Sequence, residues 1–537
     1  MKGACLMKEI QMKNFRSLED TELQTLSPIT ILVGENSSGK STFLRAFPLI
    51  KQSISKRTSG PILWAGDIDD YVDFGSFEET VTNNGAKDIA FGFSFFVNEH
   101  DIMGRHYSYD IIHEESVVSP SKIKVHYEMK IASEKGKDYV SELTIKVNSF
   151  QVIFNLIDKT LSTNGGLTYC VPKQKASQKS LEQEERVYYG FFRRYCRSFG
   201  FELPEIDTLW KSLFENASPK KYPRRDEHLL TDISVTLGSK LIKCEYVDTN
   251  HDEDPSKAGT VKKLFEYFKQ ANALVQEDTT GRAAEIFKLC FAYDCFSIID
   301  DYIYMYFKQV HYIAPLRATA ERYYRLRNLA VDEVDYQGKN LPIFINSLTH
   351  SQLEKFQAWT DEHFGFMIDI DKSRGHLSLR IKLRNSDKKI NLSDTGFGYS
   401  QVLPIITQLW ELSALQKNAA SRYYSISDPL PLVIAIEQPE LHLHPAIQAR
   451  LAKAFIACID LARKNKRELQ LIIETHSETI VNYFGRAISR GDLKPEDVSV
   501  IMFEKRAGDS TTSVRNSSYD EDGFLTNWPY GFFDSED

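Results

Sequence analysis

Apolar positions change period several times along this chain, and each change marks a different kind of element. Ile29-Thr30-Ile31-Leu32-Val33 is an almost unbroken β-branched and aliphatic run, the pattern of a strand buried on both faces. Ile10–Phe15 before it also reads as a strand, and Phe43, Leu44 and Phe47 after it recur at helical spacing. Trp64–Phe77 reads as irregular chain ending in a turn at Asp73-Phe74-Gly75-Ser76-Phe77. From Asp88 to about Val171 the period is two, in Phe91/Phe93/Phe95, Tyr107/Tyr109/Ile111, Ile123/Val125/Tyr127, Leu143/Ile145/Val147 and Val152/Phe154/Leu156. Short alternating runs separated by turn residues predict an antiparallel meander. Between Gln178 and Gln309 the period becomes helical, as in Val261, Leu264, Phe265 and Phe268, or Ile286, Phe287, Cys290 and Phe291. The β pattern returns at Val310–Ile313 and at Leu377/Leu379/Ile381/Leu383. Two further apolar strands, Leu432–Ile436 and Leu469–Ile473, flank a helix over Ile447–Leu461. No internal repeat, heptad run or low-complexity tract is present, so no long coiled coil is expected.

Composition narrows this picture. The 537 residues, with 42% hydrophobic and 26% charged content, suit a soluble globular chain of several domains. No apolar run approaches twenty residues and Met1–Met12 is too polar for a signal peptide, which predicts a cytoplasmic protein with no membrane partner. The seven cysteines are scattered, without a Cys-x-x-Cys pair, and read as reduced thiols rather than a disulfide or zinc framework. A net charge of −8 argues against a uniformly basic nucleic-acid binder, although Arg186–Arg225 is locally basic.

The chemistry begins at Gly34-Glu35-Asn36-Ser37-Ser38-Gly39-Lys40-Ser41-Thr42. A strand, a glycine-bounded loop and a helix are the context of a phosphate-binding loop. Gly34 and Gly39 permit tight turns, the loop N–H groups and helix N-terminus face an anion, Lys40 reaches the β- and γ-phosphates, and Ser41 ligates Mg²⁺. Far downstream, the apolar strand 432–436 ends in Glu437-Gln438-Pro439-Glu440. This is a Walker B arrangement, in which Glu437 holds Mg²⁺. A carboxylate normally follows to polarise the attacking water. Here Gln438 stands there and cannot accept a proton, leaving Glu440 as the nearest spare carboxylate. The next strand leads to Glu474-Thr475-His476-Ser477, where His476 is placed to sense a γ-phosphate. Between these halves, Ser393, Gly396, Gly398 and Ser400 precede the helical pattern Val402, Leu403, Ile406 and Leu409, a second glycine-bordered helix start suited to an anion. His442 and His444, two apart in the turn after Walker B, read as turn structure rather than as metal ligands.

The order of phosphate loop, inserted arm, glycine signature, Walker B and histidine resembles the ABC-type ATPase head of SMC, RecF-like and OLD-like proteins. Asn14-Phe15-Arg16-Ser17, Asp73–Phe77, Ala314-Pro315-Leu316-Arg317, Gly396-Phe397-Gly398, Gln438–Pro445 and Trp528-Pro529-Tyr530 are similar to the PtuA family, ATPases of Septu and some retron anti-phage systems. The fold implied is α/β, an ABC-type P-loop ATPase head with a mixed sheet and an antiparallel β subdomain, plus a mainly helical insertion. The expected parts are residues 1–175, an insertion over 176–309 serving as a dimer or partner arm, and 310–537. The resemblance further implies ATP with Mg²⁺, a homodimer in which each signature caps the γ-phosphate on the other head, and control of an HNH-type nuclease supplied by another chain. In a retron setting it implies a reverse transcriptase with its multicopy single-stranded DNA. Three departures stand out: Phe397 where the signature often has Ser, leaving Ser393 or Ser400 as the capping hydroxyl; Gln438, which favours slow turnover; and no Toprim continuation. The competing reading is a RecF/SMC-like repair ATPase gripping DNA through Arg193, Arg194, Arg197, Lys220, Lys221, Arg224 and Arg225, with Arg317, Arg322, Arg325 and Arg327. A P-loop kinase or GTPase is disfavoured by the distance to Walker B and the missing Asn-Lys-x-Asp.

Overall fold

The computed structural model describes residues 7–98, 101, 122–170, 241, 275–325, 331–415 and 430–528, apart from 57, 68, 69, 83, 84, 159, 167, 277, 278, 332, 374 and 506–510. The alternating segment at Tyr107–Ile111, most of the expected insertion, the basic side chains from Arg193 to Arg225, and Arg327 therefore lie outside the described residues.

In chain order the strands are β1 (Met7–Phe15), β2 (Leu18–Asp20), β3 (Gln24–Thr25), β4 (Ile29–Gly34), β5 (Asp88–Asn98), β6 (Lys122–Glu134), β7 (Lys137–Val147), β8 (Phe150–Asn155), β9 (Thr160–Thr163) and β10 (Thr168–Cys170). They continue as β11 (Val310–Ile313), β12 (Tyr324–Arg325), β13 (Phe366–Ser373), β14 (His376–Leu383), β15 (Lys389–Asn391), β16 (Leu432–Glu437), β17 (Leu469–Glu474), β18 (Val498–Glu504) and β19 (Ser513–Ser517). The helices are α1 (Lys40–Ser55), α2 (Phe77–Thr80), α3 (Arg282–Lys308), α4 (Leu341–Ser347), α5 (His350–Phe364), α6 (Phe397–Ala414), α7 (Pro445–Lys464) and α8 (Glu478–Ser489).

A six-stranded sheet in the order β11-β16-β17-β4-β18-β19 forms the centre. Its first five strands are parallel and β19 is antiparallel. Alternate residues of these strands enter opposite cores. Leu32, Val433, Ala435, Ile472, Ile501 and Phe503 face one side, and Ile31, Val33, Ile434, Ile436, Leu471, Ile473, Val500 and Met502 the other. Burial on both faces is why the strands read as continuous apolar runs. The first core is closed by α1, α3 and a nine-stranded sheet, β10-β9-β8-β7-β6-β5-β1-β2 with β3 on β1, which is antiparallel throughout. The second is closed by α4–α8 and a four-stranded antiparallel sheet of β12–β15. The expected α/β architecture, a mixed sheet around the phosphate loop joined to an antiparallel β part, is present. Among the described residues no helix is long and apolar enough to cross a membrane.

One placement differs from the sequence reading. The sequence puts the helical pattern up to Gln309 in an insertion serving as a dimer or partner arm, whereas its last helix, α3, lies in the head's own core. Tyr302 stacks on Phe95 with ring centroids 4.1 Å apart, Phe307 meets Phe93 at 5.2 Å and Phe47 at 6.1 Å, and Phe296 meets Phe154 at 5.9 Å. Each such fully buried ring stabilises by about 1.5–3 kcal/mol. Periodicity gives a helix its apolar face; it does not say which part of the fold covers that face.

Candidate nucleotide site

The phosphate loop joins the carboxyl end of β4 to α1. Gly34 pairs with Phe503 of β18, and a Cβ on it would stand 2.3 Å from the Phe503 carbonyl oxygen. Gly39 starts α1 at φ 97°, and Ser37 holds φ 60° between them. A chain threaded through left-handed positions turns successive N–H groups inward, which makes an anion cradle. Lys40 is 3% exposed. Its Nζ donates to the carbonyl oxygens of Gly34 (2.9 Å) and Glu35 (2.5 Å). Burial lowers its pKa, against the raising pull of Glu474, Glu440 and Glu35.

A cavity of about 270 Å³ opens on this loop, lined by Arg16, Ser17, Asn36–Thr42, Gln438, Glu474 and His476. A neighbouring cavity of about 630 Å³ shares Asn36, Gln438 and His476 and adds Glu440, Leu441, Gln448, Ser477, Glu478 and Thr479. Thus Asn36, Ser37, Ser38, Gly39, Lys40, Ser41, Thr42, Gln438 and His476 surround one space. Gly34 and Glu35 form the loop's base through their carbonyls. Ser393, Gly396, Gly398 and Ser400 line neither cavity. They surround the start of α6, where Ser393 and Gly396 are exposed and a Cβ on Gly398 would lie 3.4 Å from the His442 carbonyl oxygen.

The carboxylates are each placed differently. Glu437, 1% exposed, receives Arg45 Nε at 2.6 Å and Nη2 at 2.8 Å, and the Tyr312 hydroxyl at 2.9 Å. This pairing raises the Arg45 pKa, and burial with the same carboxylate raises that of Tyr312. Glu474, the register partner of Glu437 on the adjacent strand, accepts from Ser41 Oγ at 2.7 Å. Burial raises its pKa, and the Glu437 charge adds to this. Glu440 has both oxygens engaged, by Thr475 Oγ1 at 2.8 Å and the His476 backbone N–H at 2.7 Å. It therefore ties the Walker B turn to the histidine loop, although burial raises its pKa. The His476 pKa is lowered by burial and by Lys40, so its ring is neutral near pH 7. His444 caps α7 through Nδ1, which accepts from the Ala446 N–H at 3.2 Å.

Sequence reasoning missed several of these contributors. Arg16 and Ser17 enter the sequence reading only within a stretch that carries the family resemblance; they line the phosphate cavity. Arg16 lies 4.6 Å from the Phe74 ring centroid and donates to the Phe74 carbonyl at 3.3 Å, so the Asp73–Phe77 turn positions it. Arg317, considered as a DNA contact, is 6% exposed. Its Nη2 donates to the carbonyls of Glu437 (3.0 Å) and Gln438 (3.2 Å), and burial pushes its pKa down to about 10. Arg322 is bound to Asp394 at 2.8 Å.

Two buried oxygens in this region lack a hydrogen-bond partner, Ser38 Oγ and Glu474 Oε2. A cradle with a buried cation, a hydroxyl and an unsatisfied carboxylate oxygen fits a phosphate chain with a divalent metal. Glu440→Ala is expected to slow hydrolysis roughly 10–100-fold through displacement of the His476 loop, with ATP affinity unchanged. Parallel turnover and equilibrium-binding assays check this; a parental rate removes Glu440 from the machinery.

A family model described as the AAA ATPase domain matches residues 7–189 and 296–481. A second, described as a protein of unknown function (DUF3696), matches 493–537. An OLD nuclease of Thermus scotoductus is 51% identical over 45 residues, a stretch spanning 8% of this chain and only 8% of that relative. Among solved structures, an SMC head bound to the C-terminal winged-helix domain of ScpA has 12% identity, covers 96% of this chain and 98% of its own, and gives a TM-score of 0.32. The SMC head domain of Thermotoga maritima has 10% identity, coverages of 95% and 98%, and a TM-score of 0.33.

Proposed function

This chain belongs to the AAA ATPase domain family, and from that premise we propose that it is a nucleotide-operated switch that holds ATP and hydrolyses it slowly. Gln438 is the observation that carries this reading. It stands at the end of β16 in both cavities, where a base for the attacking water belongs, and an amide cannot take the proton. The carboxylate two residues on, Glu440, is committed to Thr475 and His476.

The cradle 34–42 binds the phosphates through its backbone N–H groups, Lys40 supplies the positive charge, and Arg16 lies at the cavity's edge. Ser41 and a strand-end carboxylate hold Mg²⁺, which supplies neutralisation of phosphate charge when bound. Among the described residues no group of three or more His, Cys, Asp or Glu is placed to hold a metal ion. Ser41 and one carboxylate, together with the substrate phosphates, would suffice to hold it, because Mg²⁺ at nucleotide sites keeps several of its waters. His476 senses the γ-phosphate as a neutral hydrogen-bonding ring.

Completion by a second copy is the oligomeric reading. The start of α6 lines neither of its own chain's cavities; Ser393 and Gly396 are exposed there and would meet another head, whereas Gly398 is part-buried and Ser400 is buried. The effector reading rests on the motif resemblance: an HNH nuclease from another chain, with a reverse transcriptase and its single-stranded DNA in a retron setting. The chain is purified with the products of its neighbouring genes, with ATP or ADP, and each assembly is weighed by native mass spectrometry. A two-copy species that requires ATP, carrying the nuclease chain, is expected. A single-copy species under both nucleotides overturns the switch, and an ATP-dependent pair without the nuclease removes the effector alone.

A further inference from the structure

Two carboxylates end neighbouring parallel strands in register, Glu437 on β16 and Glu474 on β17. Sequence order favours Glu437 as the acid that holds the metal. Its surroundings favour another role. Its donors are Arg45 from α1, gripping both oxygens, and Tyr312 from β11. No hydrogen bond joins it to the phosphate loop. A bidentate guanidinium is among the strongest partners a carboxylate has, and a dication would have to displace it or sit beside its charge.

Glu474 has the complementary arrangement. It is 1% exposed, lines the phosphate cavity, and accepts the Ser41 hydroxyl proton on Oε1 at 2.7 Å. A serine whose proton points at Glu474 turns its lone pairs elsewhere, which is the orientation a metal-ligating hydroxyl needs. The other oxygen, Oε2, is buried without a partner. An unsatisfied buried carboxylate oxygen is costly, and a dication or a water of its shell removes that cost.

We propose that Glu474, rather than Glu437, is the carboxylate that joins Ser41 in holding the divalent cation of the bound nucleotide. Glu437 is then a positioning residue that fastens α1, and with it the phosphate loop, to β16 and β11 through Arg45 and Tyr312. This assignment rests on the ATPase reading above.

The test measures binding of a fluorescent ATP analogue to the full chain in Mg²⁺ and in EDTA, alongside the low-temperature spectrum of Mn²⁺ bound with ADP. In the parent, Mg²⁺ tightens nucleotide binding. E474Q keeps the side-chain shape and removes one of two adjacent like charges, so it is expected to fold, and its own affinity in EDTA is the reference against which its response to Mg²⁺ is read. It loses the Mg²⁺-dependent tightening by about 10–100-fold, and its Mn²⁺ signal with ADP falls at matched concentration. E437Q keeps the tightening and melts at a lower temperature. If E437Q does not fold, the EDTA and Mg²⁺ titrations of E474Q decide alone. Parental tightening in E474Q, loss of tightening in a folded E437Q, or a parent indifferent to Mg²⁺ overturns the assignment. A parent that binds no nucleotide under either condition overturns the ATPase reading itself.

Discussion

Replacing Gln438 with Glu is expected to raise steady-state ATP hydrolysis by roughly 10²-fold, the low end of what a positioned general base contributes. The backbone at this position is held from both sides. Its N–H donates to the Glu474 carbonyl at 2.9 Å, and its carbonyl receives Arg317 Nη2 at 3.2 Å. Gln438 sits at φ 40°, a strained position that Glu occupies no less readily than Gln. The new carboxylate therefore arrives where the amide stood, facing both cavities. Glu437, Glu440 and Glu474 lie close by, and like charges raise a carboxylate pKa toward the range in which a base works near neutrality. Phosphate release at saturating ATP checks the rate, and a single-turnover measurement separates chemistry from release. A variant no faster than the parent would mean that the parent is not limited by a missing base.

Lys40→Ala is expected to weaken ATP binding by about 100-fold, near 3 kcal/mol, the scale of removing one member of a buried charged pair. The substitution removes the charge facing the phosphates and both cross-loop hydrogen bonds to Gly34 and Glu35. It also takes the nearest cation from Glu474, whose charge Lys40 offsets. Titration with a fluorescent ATP analogue checks it, with far-ultraviolet circular dichroism to establish that the fold persists. Unchanged affinity in a folded variant would move the phosphate site elsewhere.

The central strands were legible because double-sided burial writes itself as unbroken apolar sequence. Ile29–Val33, Leu432–Ile436 and Leu469–Ile473 all became strands β4, β16 and β17. The phosphate loop was legible because its glycines mark backbone positions that few other residues tolerate. The pairing of side chains across the site was not. Ser41 meets Glu474 across 433 positions, and Arg45 meets Glu437 across 392. Such distances carry no local signal. Two clues were nevertheless present. Both inner strands end in Glu, which parallel register sets side by side, and Arg45 follows Ser41 by four, one turn along the same helix face. The core position of α3 left no comparable mark, because an aromatic stripe reads the same whether it meets another copy or its own sheet.

The seating of α3 has a mechanical consequence. It is a continuous rod about 40 Å long by helical rise, entered from residue 282 and delivering the chain at residue 310 into β11. Near its far end Phe307 touches Phe47 of the phosphate-loop helix, and β11 carries the Tyr312 hydroxyl that holds Glu437. A stiff element packed along its length cannot slide at one end alone. A displacement of this helix would therefore shift Phe47 of α1 and the Tyr312 that holds Glu437 together, two separate supports of the nucleotide site.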